Sequence, residues 1–116
     1  MEFENPLFLT LALSGAFFVI AGFYTKKFPP EKINHLYGYR TRSSMRSQER
    51  WVFAQKISSR QMIRTGITEI IISLIGLFVQ LSTFTAMVTG ISILLILIVF
   101  MFLKVERAIK REFGEK

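Results

Sequence analysis

The sequence predicts an all-α membrane protein with three transmembrane helices and, between the first two, a structured cytoplasmic loop and an amphipathic interfacial helix. No Asp, Glu, Lys or Arg lies between Glu4 and Lys26, or between Glu69 and Lys104. Uncharged apolar runs of this length are typical of helices that cross a bilayer. The one long polar segment, residues 29–55, lies between these two runs.

The composition of the chain favours one membrane domain, residues 1–116, over other classes of protein. Its residues are 51% hydrophobic, yet its net charge is +7. In a membrane protein, an excess of basic residues sets the orientation of the chain and favours contact with anionic lipid headgroups. No direct binding of nucleic acid is therefore expected. The chain has no cysteine, which excludes disulfides, thiolate metal sites and thiol nucleophiles.

The first span is predicted over residues 7–24. Asn5 is a favourable N-cap, and Pro6 suits the first helical position because its missing N–H costs nothing there. The N-terminus lacks the basic region of a signal peptide, so this span is expected to remain uncleaved. Residues 47–64 predict an amphipathic helix that Ser47 caps and in which Trp51 and other apolar residues alternate with arginines. This segment suits either the headgroup layer or the solvated start of the next span.

Residues 65–103 predict two further spans. A single helix of that length would extend about 58 Å at 1.5 Å per residue, roughly twice the thickness of a bilayer core. The polar break at residues 82–85 divides it into spans over 65–81 and 86–103, joined as a tight hairpin. The tail, residues 104–116, is expected to continue the third helix into water.

The basic residues predict the orientation of the chain in the cell membrane. Ten of them lie within residues 26–64 and five within the tail. The positive-inside rule therefore places the motif loop, 25–64, and the C-terminus in the cytoplasm and the N-terminus outside. Since three helices alone bury little surface, a homo-oligomer or a partner subunit is expected.

No catalytic or metal-binding constellation is present in the sequence. Ser43, Ser44 and Ser47 have no partnered base nearby in sequence, and the spacing of Glu31 and His35 supplies too few ligands for a metal. The chain is therefore expected to be neither an enzyme nor a metal or cofactor protein.

Glu69 is the one acidic residue within a predicted span. Such a residue is costly and often marks a proton relay or a cation site. An ion pair with Lys104 or Arg107 of the antiparallel third helix is the favoured alternative, because Glu69 lies only about one turn inside the predicted cytoplasmic edge.

Arg40 follows a Tyr-Gly-Tyr turn in which Gly38 can adopt a positive φ. The rings of Tyr37 and Tyr39 could then hold the guanidinium in place for a phosphate, a carboxylate or a peptide. The alternative is that the arginines of this loop determine topology and contact anionic lipids.

The motif N-x-L-Y-G-Y-R-T-x-x-S-M, followed by E-x-W and A-Q, resembles the signature of the SdpI/YfhL family of small bacterial membrane proteins. It covers about a quarter of the chain. The matching positions are Asn34, Gly38, Tyr39, Arg40, Thr41, Ser44, Glu49, Trp51, Ala54 and Gln55.

The resemblance implies an integral membrane protein that gives immunity to a membrane-active antimicrobial peptide. It also implies a role in signalling by holding a regulator at the membrane. The clustered motif further predicts that Tyr39, Arg40 and Trp51 form a cytoplasmic-side site that binds a peptide, a lipid headgroup or a regulator. The alternative function is a small oligomeric ion- or proton-coupled transporter that uses Glu69.

Overall fold

The computed structural model describes residues 4–114 and contains three helices within them. These are α1 (Pro6–Lys27), α2 (Gln48–Gly76) and α3 (Thr83–Phe113). Asn5 caps α1 by accepting a hydrogen bond from the Leu7 N–H at 2.8 Å, with Pro6 at the first helical position. Ser47 caps α2 in the same way through the Arg50 N–H at 3.1 Å. Both predicted helix starts are confirmed.

The prediction of three transmembrane helices is wrong. Within residues 4–114, α1 and α3 are the two helices long and apolar enough to cross a membrane. The helix that contains the predicted span over 65–81 ends at Gly76. Its apolar part, residues 65–76, extends only about 18 Å, against about 30 Å for a bilayer core. The rest of α2, residues 48–64, carries Glu49, Arg50, Lys56, Arg60 and Arg64, so α2 does not qualify as a span.

The prediction of a separate amphipathic interfacial helix is also wrong. Residues 48–64 are the first part of the single helix α2. Trp51, Ala54, Gln55, Ser58 and Ser59 of this part are buried inside the protein, so their face packs against the other elements and does not face lipid headgroups.

Close backbone contact joins α1 to α2. A Cβ atom on Gly66 would lie 2.5 Å from the Gly15 carbonyl oxygen, and one on Gly15 would lie 2.7 Å from the Gly66 carbonyl oxygen. Farther along, a Cβ on Gly22 would lie 2.9 Å from the Ser59 carbonyl oxygen. The two helices therefore approach at positions where only glycine leaves room.

The chain reverses at residues 77–82, and this turn lies beside the start of α1. The Asn5 side chain donates a hydrogen bond to the Val79 carbonyl, and Leu7 and Leu11 pack with Ala86 of α3. At the opposite end, Val105 and Ile109 of α3 pack against Ala54 of α2. Residues 28–47, which connect α1 to α2 and are called the motif loop from here on, therefore meet the end of α3 at one end of the bundle.

Candidate functional site

The backbone of the motif loop is held by the side chain of Gln55. This residue lies on α2 and is 2% exposed. Its Oε1 accepts a hydrogen bond from the Tyr39 N–H at 2.7 Å, and its Nε2 donates to the Tyr39 carbonyl at 2.9 Å. One buried amide therefore satisfies both backbone groups of Tyr39 and fixes the loop against α2.

Gly38 makes this close approach possible. Its φ is +107°, a conformation that L side chains rarely adopt. A Cβ at this position would also lie 2.6 Å from Pro30 Cγ and 2.7 Å from Gln55 Oε1. The glycine of the Tyr-Gly-Tyr turn is thus required both by its dihedral angle and by the space available.

Trp51 and Asn34 hold the first part of the loop. Trp51 is fully buried, and its indole Nε1 donates a hydrogen bond to the Pro30 carbonyl at 2.7 Å. The Asn34 Oδ1 accepts hydrogen bonds from the Leu36 and Tyr37 N–H groups, as in an Asx turn. Both residues, predicted to bind a ligand or partner, make contacts that shape the loop, and Trp51 presents no accessible surface.

Ser44 and Thr41 form the turn that follows. Ser44 is fully buried, and its hydroxyl accepts a hydrogen bond from the Thr41 N–H at 2.9 Å. The same hydroxyl lies 3.2 Å from the Tyr39 carbonyl, to which it can donate. The second half of the motif is therefore ordered by its own side chains.

Glu106 of α3 accepts hydrogen bonds from three hydroxyl groups of the loop. The Tyr39 hydroxyl donates at 2.6 Å and the Thr41 hydroxyl at 2.9 Å, both to Oε2, and the Ser43 hydroxyl donates to Oε1. Three donors on one carboxylate require it to act as an acceptor only, which is its ionised form. The charged end of α3 is thus docked on the motif loop.

These contacts shift the pKa of both partners. Glu106 lies in the charged continuation of α3, beyond the apolar residues that end at Leu103. Partial burial favours the neutral carboxyl, but the hydrogen bonds from Ser43, Tyr39 and Thr41 outweigh it and hold the pKa of Glu106 below its usual value. Burial, followed by the hydrogen bond to Glu106, raises the pKa of Tyr39. The pair is therefore a phenol donating to a carboxylate.

Arg50 ties the end of α3 to the start of α2. Its guanidinium donates to the Gly114 carbonyl at 3.1 Å and lies over the Phe113 ring, 5.5 Å from the centroid. It is only 5% exposed. The tail thus continues α3 as predicted, through Phe113. One face of it packs, through Val105, Ile109 and Phe113, whereas Lys104, Arg107, Lys110 and Arg111 are exposed.

Comparison with known proteins identifies the family. Residues 31–103, well over half of the chain, match the model of the SdpI/YfhL protein family. The chain belongs to this family. It is 44% identical over 59 residues to the uncharacterized protein YfhL of Bacillus subtilis (strain 168), an alignment that covers 51% of this chain and 54% of the relative. The chain thus matches about half the length of that relative. No solved structure matches it significantly.

The family and the two apolar helices together indicate a membrane protein. The matched region contains the whole motif from Asn34 to Gln55 but ends before Glu106. The contact between loop and carboxylate therefore lies partly outside the SdpI/YfhL match.

Arg40 is the exposed cation of the family motif. It has no hydrogen bond or ion pair with any residue between 4 and 114. Among the described residues the rings of Tyr37 and Tyr39 make no cation–π contact with Arg40. The Tyr37 hydroxyl donates to the Phe28 carbonyl at 2.6 Å, and the Tyr39 hydroxyl donates to Glu106. Glu49, also in the motif, is exposed in the first turn of α2.

Glu69 is fully buried, and neither of its carboxyl oxygens has a hydrogen-bond partner among the described residues. The predicted ion pair with Lys104 or Arg107 is therefore not formed. Glu69 faces α1 and not α3: a Cβ on Gly15 would lie 3.1 Å from Glu69 Cβ. Ser14 of α1 is the polar side chain that interacts with the carboxyl group, although without a hydrogen bond of normal geometry.

Sequence reasoning missed Glu106 and Arg50 as parts of the site. A signal for the packed tail was present, because Val105, Ile109 and Phe113 recur every fourth residue and form an apolar stripe on a helix. No pattern in the sequence indicates that Glu106 would meet the hydroxyl groups of the loop.

Proposed function

We propose that this SdpI/YfhL family protein gives immunity to a membrane-active antimicrobial peptide and that Arg40 of the motif loop binds the peptide or a cytosolic regulator. The observation that carries the proposal is an exposed, unpaired guanidinium on a loop whose backbone is fixed from beneath. Because the loop backbone is already fixed, only the Arg40 side chain has to be ordered when its guanidinium pairs with a carboxylate or phosphate. The resemblance to the family supplies the biological role.

In this proposal the motif loop and the end of α3 face the cytoplasm. All fifteen basic residues lie in two segments, 26–64 and 104–116. The positive-inside rule supports a cytoplasmic position for both. Their described parts lie at the same end of the bundle, since Tyr39 contacts Glu106 and Arg50 contacts Gly114.

The test uses the native host with this chain deleted and then restored as wild type, Arg40→Ala or Arg42→Ala at equal membrane levels. Arg42 is a matched control because it is also an exposed loop arginine. On challenge with the host's own secreted peptides, we expect depolarisation of the deletion strain and of the Arg40→Ala strain. Wild type and Arg42→Ala should retain their membrane potential.

Three outcomes would contradict this proposal. If the deletion strain kept its membrane potential, immunity would not be the function. If Arg40→Ala protected as well as wild type, or if Arg42→Ala failed equally, no specific role would remain for Arg40. Loss in both variants would indicate that only the total charge of the loop matters.

A second candidate function is ion or proton transport, and the burial of Glu69 without a partner favours it. An unpaired carboxyl group in an apolar interior is costly, and a purely structural role gives no reason to keep it. Its neighbours on the same face of α2, Thr65 and Ser73, are also polar and buried. Together they form a polar stripe beside α1.

For transport, we expect purified protein in sealed vesicles to conduct protons or monovalent cations, and Glu69→Gln to abolish this flux. Glu49→Gln is the control, because Glu49 is exposed at the start of α2. Glu69→Gln should be at least as stable as wild type, since it removes a buried ionisable group. Absence of flux from wild type, or equal flux from Glu69→Gln, would exclude this function.

A further inference from the structure

A cavity of about 480 Å³ lies between the three helices and the motif loop. Apolar residues of α1 and α3 line most of it, Gln55, Ser58 and Met62 of α2 form a further wall, and the Tyr-Gly-Tyr-Arg turn lines the loop end. The residues that carry the argument are Phe18 and Ala21 of α1, Ile98, Met101 and Phe102 of α3, and Arg40 at the loop end.

The cavity exists because α1 and α3 are close at only one end. Near the start of α1, a Cβ on Gly90 would lie 3.4 Å from Thr10 Cβ and 3.5 Å from Leu7 Cα. At the loop end, α3 packs instead on α2, through Val105 and Ile109. The helices therefore leave a wedge between them, which the ring of Tyr39, 5.5 Å from that of Phe102, fills only in part.

The chemistry of the cavity changes from one end to the other. The part lined by Phe18, Ile98 and Met101 is apolar, whereas the loop end carries Arg40 and the α2 wall contributes the polar Gln55 and Ser58. Arg40 is exposed and has no partner among the described residues. A molecule that fills this cavity needs an apolar chain and an anionic head at a distance that matches the wedge.

We infer that the cavity binds one anionic phospholipid, with its phosphate on Arg40 and part of an acyl chain between α1 and α3. A lipid is favoured over other amphiphiles because the wedge is bounded by the two membrane-spanning helices, so it opens into the bilayer where phospholipid is the solvent. The phosphate pairs with the planar guanidinium in two parallel hydrogen bonds. This inference does not rest on the proposed function: it gives the Arg40 guanidinium a lipid ligand in place of a peptide or a regulator.

The experiment measures lipid retention on the purified full chain. The protein in detergent is incubated with phosphatidylglycerol or with phosphatidylcholine of the same acyl chains, and bound lipid is counted by native mass spectrometry. We expect wild type to retain one phosphatidylglycerol and Arg40→Ala to retain about tenfold less, the scale of one charge-assisted pair. Arg42→Ala should resemble wild type.

Two further variants test the position of the lipid. Ala21→Phe fills the apolar part of the wedge and should abolish retention while Arg40 remains, with the fold checked by circular dichroism. Arg60→Ala removes a cation from a separate cavity of about 430 Å³ between α1 and α2, and it should retain lipid as wild type does. Loss in Arg60→Ala but not in Arg40→Ala would overturn the assignment in favour of that second cavity.

Other results would also overturn the inference. Equal retention of the two lipids would show that the site does not require a headgroup with a net negative charge, and it would overturn the assignment to an anionic phospholipid. Displacement of phosphatidylglycerol by inorganic phosphate alone would show that no acyl chain is bound. Stoichiometric displacement by an apolar peptide with a free C-terminal carboxylate would assign the cavity to peptides. Because retention is measured without cells, its failure is distinguishable from a failure of the immunity proposal.

Discussion

Gly66→Ala is expected to destabilise the protein by separating α1 from α2. The added Cβ would lie 2.5 Å from the Gly15 carbonyl oxygen and 2.8 Å from the Val19 backbone nitrogen. Both are backbone atoms, so no rotation of a side chain can relieve the contact and the helices must move apart. Overpacking of this kind costs about 1–3 kcal/mol or more, which exceeds the gain of about 1 kcal/mol in helix propensity.

The measurement is the midpoint of thermal unfolding in one detergent, followed by the fluorescence of the single tryptophan, Trp51. Gly90→Ala is the matched control, because its Cβ would meet Thr10 and Leu7 only at 3.4 and 3.5 Å. The control should be neutral or slightly stabilised, whereas Gly66→Ala should unfold at a lower temperature. A Gly66→Ala midpoint at or above that of wild type would mean that the close approach of α1 and α2 is not required.

The features that sequence reasoning predicted are those with local causes. The starts of α1 and α2 depend on Asn5 and Ser47, each bonded to a backbone N–H two or three residues away. The Gly38 turn depends on one dihedral angle. These causes act within a few residues, so a single sequence contains them.

The number of spans was not predictable from the lack of charge alone. The length of residues 65–103 predicts two spans, but hydropathy alone does not show where each helix begins and ends. Helix α2 begins at Gln48, and inside it buries polar residues such as Thr65 and Ser73 while exposing Ile67 and Ile71. Its apolar residues therefore lie on the outside over too short a length to form a span.

The candidate site depends on contacts between residues that are distant in the chain. Tyr39 and Gln55 are 16 residues apart, and Tyr39 and Glu106 are 67 apart. The motif includes both Tyr39 and Gln55, but it does not indicate that the Gln55 side chain would hydrogen-bond the Tyr39 backbone. The motif also predicts that Trp51 and Arg40 share a binding surface. In the structure Trp51 is fully buried and holds the loop, whereas Arg40 is exposed.

Gln55→Glu is expected to release the motif loop while leaving the helices intact. The substitution keeps the shape of the side chain but replaces the Nε2 donor with an oxygen that faces the Tyr39 carbonyl at the position of the present 2.9 Å hydrogen bond. Two acceptors then oppose each other in a site where Gln55 is only 2% exposed. Leaving buried polar groups unsatisfied costs about 1–3 kcal/mol, and more when one is charged.

That cost should appear as faster amide hydrogen exchange in the loop, because the loop loses the hydrogen bonds with Gln55 that hold it against α2. We expect hydrogen exchange of peptides within residues 36–46 to accelerate about tenfold to a hundredfold, at about 1.4 kcal/mol per factor of ten. The core of α1 should be unchanged. Gln80→Glu, the same substitution at an exposed position between α2 and α3, should leave exchange in the loop as it is in wild type. If Gln55→Glu also left it unchanged, the loop would be held by Trp51 and Glu106 alone, and the rigidity that presents Arg40 would have to come from those contacts.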